Sequence, residues 1–403
     1  MKNTQITTAD QSATKKRYPF LDGFRGIAIL FILFRHARDA FNLNNIFGQY
    51  DPISDGIYFK TLAIFKYDLL RCYEGVQFII NKIKGVIGVE MFFVLSGFLI
   101  TRSLLTADLS KFALIKFYQR RFFRIYPAYF LLILVSFIVF FRHFELGIVD
   151  ACYQSTKYLF FLQNYFPVVN PLLSHTWTVV IFEQFYFFCP LVILLVHRLI
   201  KNERLRMIVL IGICLGLMIL APVIRAIFLS TGKPFIEWPM LAPAPNQTTF
   251  YRCDALVFGC LLAIFEPIWS VWRQHKVRGI VLWVTGMAIY TFLFMDDKWG
   301  NYLGAWYLFT LGYIAFGCLI LAAQQGVSLM AIHKPLQWLG KQSYGIYLWH
   351  YLLLAVWGPC IGWVPISLIV LGYLASVILV GFISTKFIES FFLKHFATRR
   401  IFS

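Results

Sequence analysis

Runs of about twenty apolar residues recur along this chain, each long enough to cross a bilayer as a helix. In hydrocarbon the backbone must satisfy its own polar groups, so such runs are read as spanning helices. Ten of them fall near residues 21–41, 86–105, 125–142, 177–197, 207–229, 254–272, 279–295, 302–323, 342–358 and 364–388. Only 14% of the 403 residues are charged, against about 25% in soluble domains. The pattern predicts an all-α polytopic membrane protein with about ten transmembrane helices.

The net charge is +18. In a membrane chain that excess belongs to cytoplasmic loops and anionic headgroups rather than to nucleic acid. With the N-terminus inside, the inner loops and tails hold about 24 of the Lys and Arg residues and the outer segments about 13, the asymmetry that sets orientation. Both termini are therefore expected in the cytoplasm. Residues 1–16 read as a polar tail, 17–390 as the transmembrane domain and 391–403 as a basic tail, with no appended soluble domain. Polar residues precede a long first apolar run, so no cleavable signal peptide is expected. The eight cysteines show no C-x-x-C spacing. Most lie in apolar runs as small hydrophobes, and Cys72 with Cys152 is the one candidate outer-face pair.

Charges near a span have a job or a partner, because burying them is expensive. The first run, LDGFRGIAILFILFRHARDA, carries Arg25 and His36 eleven residues apart. On a helix that is roughly 16 Å and about three turns, so both groups lie on nearly one face. Arg35 is a weaker candidate, and Arg38 and Asp39 read as solvated interfacial charges. Glu90 opens the second run at the expected depth of His36, where a carboxylate would orient an imidazole acting as a general base. The inner loop KFYQRRFFRIYP places Arg121 and Arg124 three residues apart, and guanidinium forks at that spacing suit phosphate. Toward the outer half come His175, Glu183, Tyr186, Arg225, Arg252, Asp254, Ser343, Tyr344, Tyr347 and His350. Ionisable groups at similar depth in different helices describe a polar cavity, although each also has a plain structural use as an ion pair or interfacial aromatic.

LDGFRGIAILFILFRH, GVEMFFVLSGFLIT, RRFFRIYP, the W…EQFY block, RCDALVFG and SYGIYLWH follow one another in this order. Together, from about residue 17 to 390, they resemble the acyltransferase-3 family of integral membrane O-acyltransferases. The resemblance implies a bacterial inner-membrane enzyme that moves an acyl group, acetyl being the expected one, from cytoplasmic acyl-CoA to a glycan or lipid-linked sugar hydroxyl. It implies His36 and Glu90 as catalytic residues and Arg25, Arg121 and Arg124 as the acyl-CoA site. Glu183, Tyr186, Arg252, Asp254, Tyr347 and His350 are then expected around the acceptor, and no metal is expected. The family often has two acidic residues before QFY; here Phe182 stands in place of the first. Sugars of lipopolysaccharide or capsule, peptidoglycan, periplasmic glucans and small metabolites all remain open as acceptors. A covalent acyl-histidine intermediate and a transporter or flippase of similar architecture remain open as well.

Overall fold

The computed structural model describes residues 18–41, 84–107, 110–144, 155–165, 170–231, 247–271, 275–296, 305–328, 333–361 and 363–396. Cys72, Cys152, the N-terminal tail and residues 397–403 lie outside them. The long helices are α1 (Pro19–Ala40), α2 (Gly85–Leu105), α3 (Lys111–Phe144), α4 (Trp177–Leu199), α5 (Glu203–Thr231), α6 (Thr249–Ile264), α7 (Lys276–Met295), α8 (Ala305–Gln324), α9 (Lys334–Trp357) and α10 (Ile366–Ile383). A 3-10 turn, Pro171–Thr176, leads into α4, and a π-helical turn, Ser384–Glu389, follows α10.

Each helix covers one of the ten apolar runs, with shifted ends. α3 begins at Lys111, so KFYQRRFFRIYP is helical and continuous with the apolar run, not a loop. Its Lys, Gln and Arg residues are good helix formers, and the ring of Pro127 is accommodated inside the helix. α6 is displaced the other way: it starts at Thr249 and stops at Ile264. A separate short helix, Glu266–Val271, then begins with Pro267 in its first turn, where a missing N–H does no harm. α9 starts at Lys334, with Pro335 in its first turn and the His333 side chain accepting from the Leu336 N–H.

Seven helical stretches, in α2, α3, α4, α5, α7, α8 and α10, are long and apolar enough to cross a membrane. The protein is thus an all-α, multi-pass membrane protein. α1 falls short because it is studded with charge, α6 because it has 16 residues, and α9 because Gln, Ser, Tyr and His interrupt its apolar run. Those three helices hold most of the candidate site residues, and they sit inside. α6 is buried along nearly its whole length, whereas α5, α7 and α10 bury only 22% of their apolar windows and present the rest outward. An apolar outer wall thus shields a polar-bearing centre, the arrangement a lipid solvent favours.

Two seams hold that centre together. A Cβ on Gly26 would stand 2.2 Å from the Leu336 oxygen, and one on Gly340 would stand 1.8 Å from the Asp22 oxygen. Backbones of α1 and α9 therefore touch, as small residues permit between membrane helices. The α2–α6 seam is built alike: a Cβ on Gly97 would meet the Leu256 oxygen at 1.8 Å, and one on Gly259 the Val94 oxygen at 2.2 Å. In both seams the two helices run parallel, so residues at matching heights become neighbours.

Gly97→Ala is expected to destabilise the protein by about 1–3 kcal/mol, the usual penalty of overpacking. Gly216→Ala, which faces open space, should be neutral or stabilising by roughly 0.5–1 kcal/mol through helix propensity. Thermal unfolding in detergent distinguishes them, and equal behaviour would refute the seam.

Candidate active site

Because α1 and α9 run parallel and in contact, they present one polar edge with two ends. At the end where both helices begin, a cavity of about 120 Å³ is lined by Arg25 from α1, Arg121 and Arg124 from α3 and Lys341 from α9. A second cavity of about 300 Å³ shares Arg25, Arg124 and Lys341 and extends past Asp22 to Arg102. Arg25 lies 3.3 Å from Asp22. Arg121 packs on the Tyr186 ring, 5.0 Å from its centroid, a favourable cation–π contact. Among the described residues, no carboxylate comes within ion-pair distance of Arg121, Arg124 or Lys341. The like charges of Arg25, Arg121 and Arg124 repel one another. A cavity wall with this surplus attracts anions.

Glu183 and Tyr186 line the same cavity from α4. Glu183 Oε1 is shut off from the surface without a hydrogen-bond partner, and the Tyr186 hydroxyl bonds Ser96 at 3.3 Å. Upward, the cavity follows α1 to Ile32 and α9 to Tyr347. It ends about one turn below His36.

His36 is partly buried at the far end of the edge. The Tyr351 hydroxyl lies 3.3 Å from His36 Nδ1, and the His350 ring centroid lies 5.3 Å from that of His36. His175, delivered by the 3-10 turn before α4, is 4.8 Å from His350 and stacks on Tyr351 at 4.7 Å. Among the described residues, no three His, Cys, Asp or Glu side chains are grouped as a metal site requires.

Several expectations give way here. Glu90 does not orient His36. A Cβ on Gly85 would touch Arg35, and one on Gly88 would touch Ala28, so α2 descends along α1 and Glu90 lies well below the imidazole. Its carboxylate bonds Arg252 instead. Arg252 and Asp254, expected around the acceptor, are each 1% exposed and engaged in ion pairs. Arg252 pairs with Glu90, and Asp254 with Arg225 at 2.6 Å. The Phe309 ring lies between the two guanidinium groups, 5.4 Å from Arg225 and 4.0 Å from Arg252. This quartet ties α2, α5 and α6 together in balanced charge. Arg38, expected to be solvated, is buried, and its Nε and Nη2 both bond Asp39 at 3.1 Å. Asp39 also takes Arg35 at 2.7 Å, which leaves Arg35 an interfacial ion-pair residue. The hydroxyls of Tyr344 and Tyr347 are engaged within the fold, donating to the backbone oxygens of Ile125 at 2.8 Å and His175 at 2.5 Å.

Lys341 and Tyr351 were missed in the sequence. A usable signal exists: Lys341, Tyr344, Tyr347 and Tyr351 recur every three to four residues on α9, which marks one polar helical face.

Removing one partner of a buried ion pair strands the other charge and costs about 3–5 kcal/mol. Glu90→Ala is therefore expected to lower the unfolding temperature sharply. Glu90→Leu combined with Arg252→Met should recover most of the loss, because matched apolar replacements of buried pairs are tolerated. A double variant as unstable as the single one would refute the pairing role.

The sequence model of the acyltransferase-3 family, described as an acyltransferase domain, matches residues 18–385. O-acetyltransferase OatA of Staphylococcus aureus is 28% identical over 359 residues, covering 80% of this chain and 56% of that protein. Peptidoglycan O-acetyltransferase OatA of Listeria monocytogenes is 28% identical over 343 residues, covering 77% of this chain and 53% of its own length. The chain thus spans about half the length of these curated relatives. No solved structure matches it.

Proposed function

The chain belongs to the acyltransferase-3 family, and on that premise we propose that it is an acetyl-CoA-dependent O-acetyltransferase of the bacterial inner membrane acting on a cell-envelope glycan. In this reading α1, α6 and α9 cross inside the wall made by the seven apolar helices and both termini lie in the cytoplasm, so the arginine end of the α1–α9 edge opens to the cytoplasm. Support comes from the Lys and Arg asymmetry of the loops and from the names of the relatives. Peptidoglycan is the first acceptor to test, because the Listeria relative is named for it.

What carries the assignment is the set of Arg25, Arg121, Arg124 and Lys341 around a cavity that climbs toward His36. The donor's phosphates sit among these cations, whose mutual repulsion they relieve. The uncharged pantetheine arm rises along the α1–α9 edge, on the side lined by α2 and α4, so that the thioester approaches the imidazole, roughly 16 Å above Arg25. Glu183, Tyr186 and Ser96 flank that path. His36 takes the proton of the acceptor hydroxyl while the oxygen attacks the thioester carbonyl. A C–O bond forms, the C–S bond breaks, and the thiolate sulfur recovers a proton. Tyr351, bonded to His36 Nδ1, orients the ring in the place first given to Glu90.

Membranes containing the wild-type protein should transfer radiolabel from acetyl-CoA to glycan, and those with His36→Ala should not. Export of unmodified substrate without label transfer would instead indicate a transporter. Arg121→Ala with Arg124→Ala should raise the KM for acetyl-CoA by roughly tenfold or more, since hydrogen bonds to charged groups are worth about 1.5–3 kcal/mol each. Unchanged donor dependence in a normally inserted protein would reject the phosphate role.

A further inference from the structure

His175 and His350 have no task in that mechanism, yet they are among the most enclosed side chains near His36, at 3% and 0% exposure. Each ring has one engaged nitrogen and one idle one. His175 Nε2 lies 3.1 Å from the Leu348 carbonyl oxygen, and His350 Nδ1 lies 2.5 Å from the Tyr347 carbonyl oxygen. A carbonyl oxygen only accepts, so both of these nitrogens carry the proton and donate. A neutral imidazole has a single N–H. His175 Nδ1 and His350 Nε2 are therefore bare lone pairs, and both are buried without a partner among the described residues. Native structures seldom leave such atoms idle without a reason.

Their neighbours supply one. The rings form a file, with His36 5.3 Å from His350 and His350 4.8 Å from His175. Protonating either buried ring would turn its existing N–H···O=C contact into a charge-assisted bond, which is stronger. Both rings thus hold an idle acceptor and a backbone group already placed to support the cation. His350 is too enclosed to touch a sugar, whereas a proton needs no cavity.

We propose that His350 and His175 form a proton relay behind His36, acting through it as positioning residues. This rests on His36 being the base. The acceptor O–H bond breaks, and its proton passes to His36 and is held at the bare His350 Nε2, from which it returns by the same way; the bare His175 Nδ1 on the neighbouring ring is a second lone pair of the same kind. The C–O bond forms as the C–S bond breaks, and the proton returns to the thiolate sulfur. Nothing is oxidised or reduced.

Two substitutions separate relay from scaffold. His350→Asn keeps an amide N–H where Nδ1–H now donates to Tyr347 and deletes the lone pair at Nε2. His175→Gln keeps a donor toward Leu348 and deletes the lone pair at Nδ1. Full-length variants in membranes are assayed with acetyl-CoA and glycan, per amount of inserted protein. The relay predicts a fall in kcat of about tenfold or more, in the range of general acid–base effects. It also predicts an unchanged KM for acetyl-CoA and a larger solvent deuterium isotope effect on kcat. Turnover within about twofold of wild type in both variants would overturn it, as would loss of acetyl-CoA binding together with turnover in both, the mark of a scaffold role. His36→Gln, run alongside, keeps the two ideas apart. Inactivity there with normal turnover in the other two removes only the relay; normal turnover there removes the base and the relay with it.

Discussion

The contact between the backbones of α1 and α9 is the constraint from which the site follows. At Gly26 and Gly340 there is no room for a methyl group, so the two helices lie as close as their main chains allow. Being parallel, they hold matching heights together. Arg25 meets Lys341 at one end, and His36 meets His350 and Tyr351 at the other. The Arg25–Lys341 end and the His36–His350–Tyr351 end are therefore two places on one rigid pair of rods. Neither depends on a loop for its position.

The same core contains two kinds of buried charge. Glu90, Arg252, Asp254 and Arg225 form a balanced set, with each arginine matched to a carboxylate from another helix. Such groups specify which helices pair and are costly only when one member is lost. Around the cavity the balance fails, because Arg121, Arg124 and Lys341 have no carboxylate within ion-pair distance among the described residues. A protein tolerates surplus charge at depth where water or a ligand supplies the compensation. The contrast separates a charge-balanced set from a cationic surplus, although both are simply charges in apolar runs when seen in the sequence.

The helices were legible because lipid imposes a length rule on each segment separately. The R-x10-H interval of α1 and the R-x-x-R of α3 were legible for a similar reason: each lies on one helix, whose repeat fixes the relative directions of its side chains. What escaped were relations between helices. Glu90 and Arg252 are 162 positions apart, and the choice of Arg252 rather than His36 as its partner depends on the register between α1 and α2, set by Gly85 and Gly88. The partners of the tyrosine hydroxyls of SYGIYLWH were likewise out of reach, because the carbonyls that receive them, on Ile125 and His175, belong to other segments. The extent of α3 was misjudged because its charged first turns resemble a loop by composition, although nothing before Pro127 would break a helix.

The interval between Arg25 and His36 makes α1 a screw as well as a rod. Its reach can be altered only with its angular phase. One inserted residue between the two would add about 1.5 Å of rise but swing everything above it by about 100°, carrying the imidazole away from Tyr351 and His350. Four inserted residues would bring the phase back to within about 40° but lift the ring by about 6 Å. The height between these two groups is thus quantised in helical turns. The cavity beside them can be reshaped from its walls on α3, α4 and α9, never by stretching the first helix.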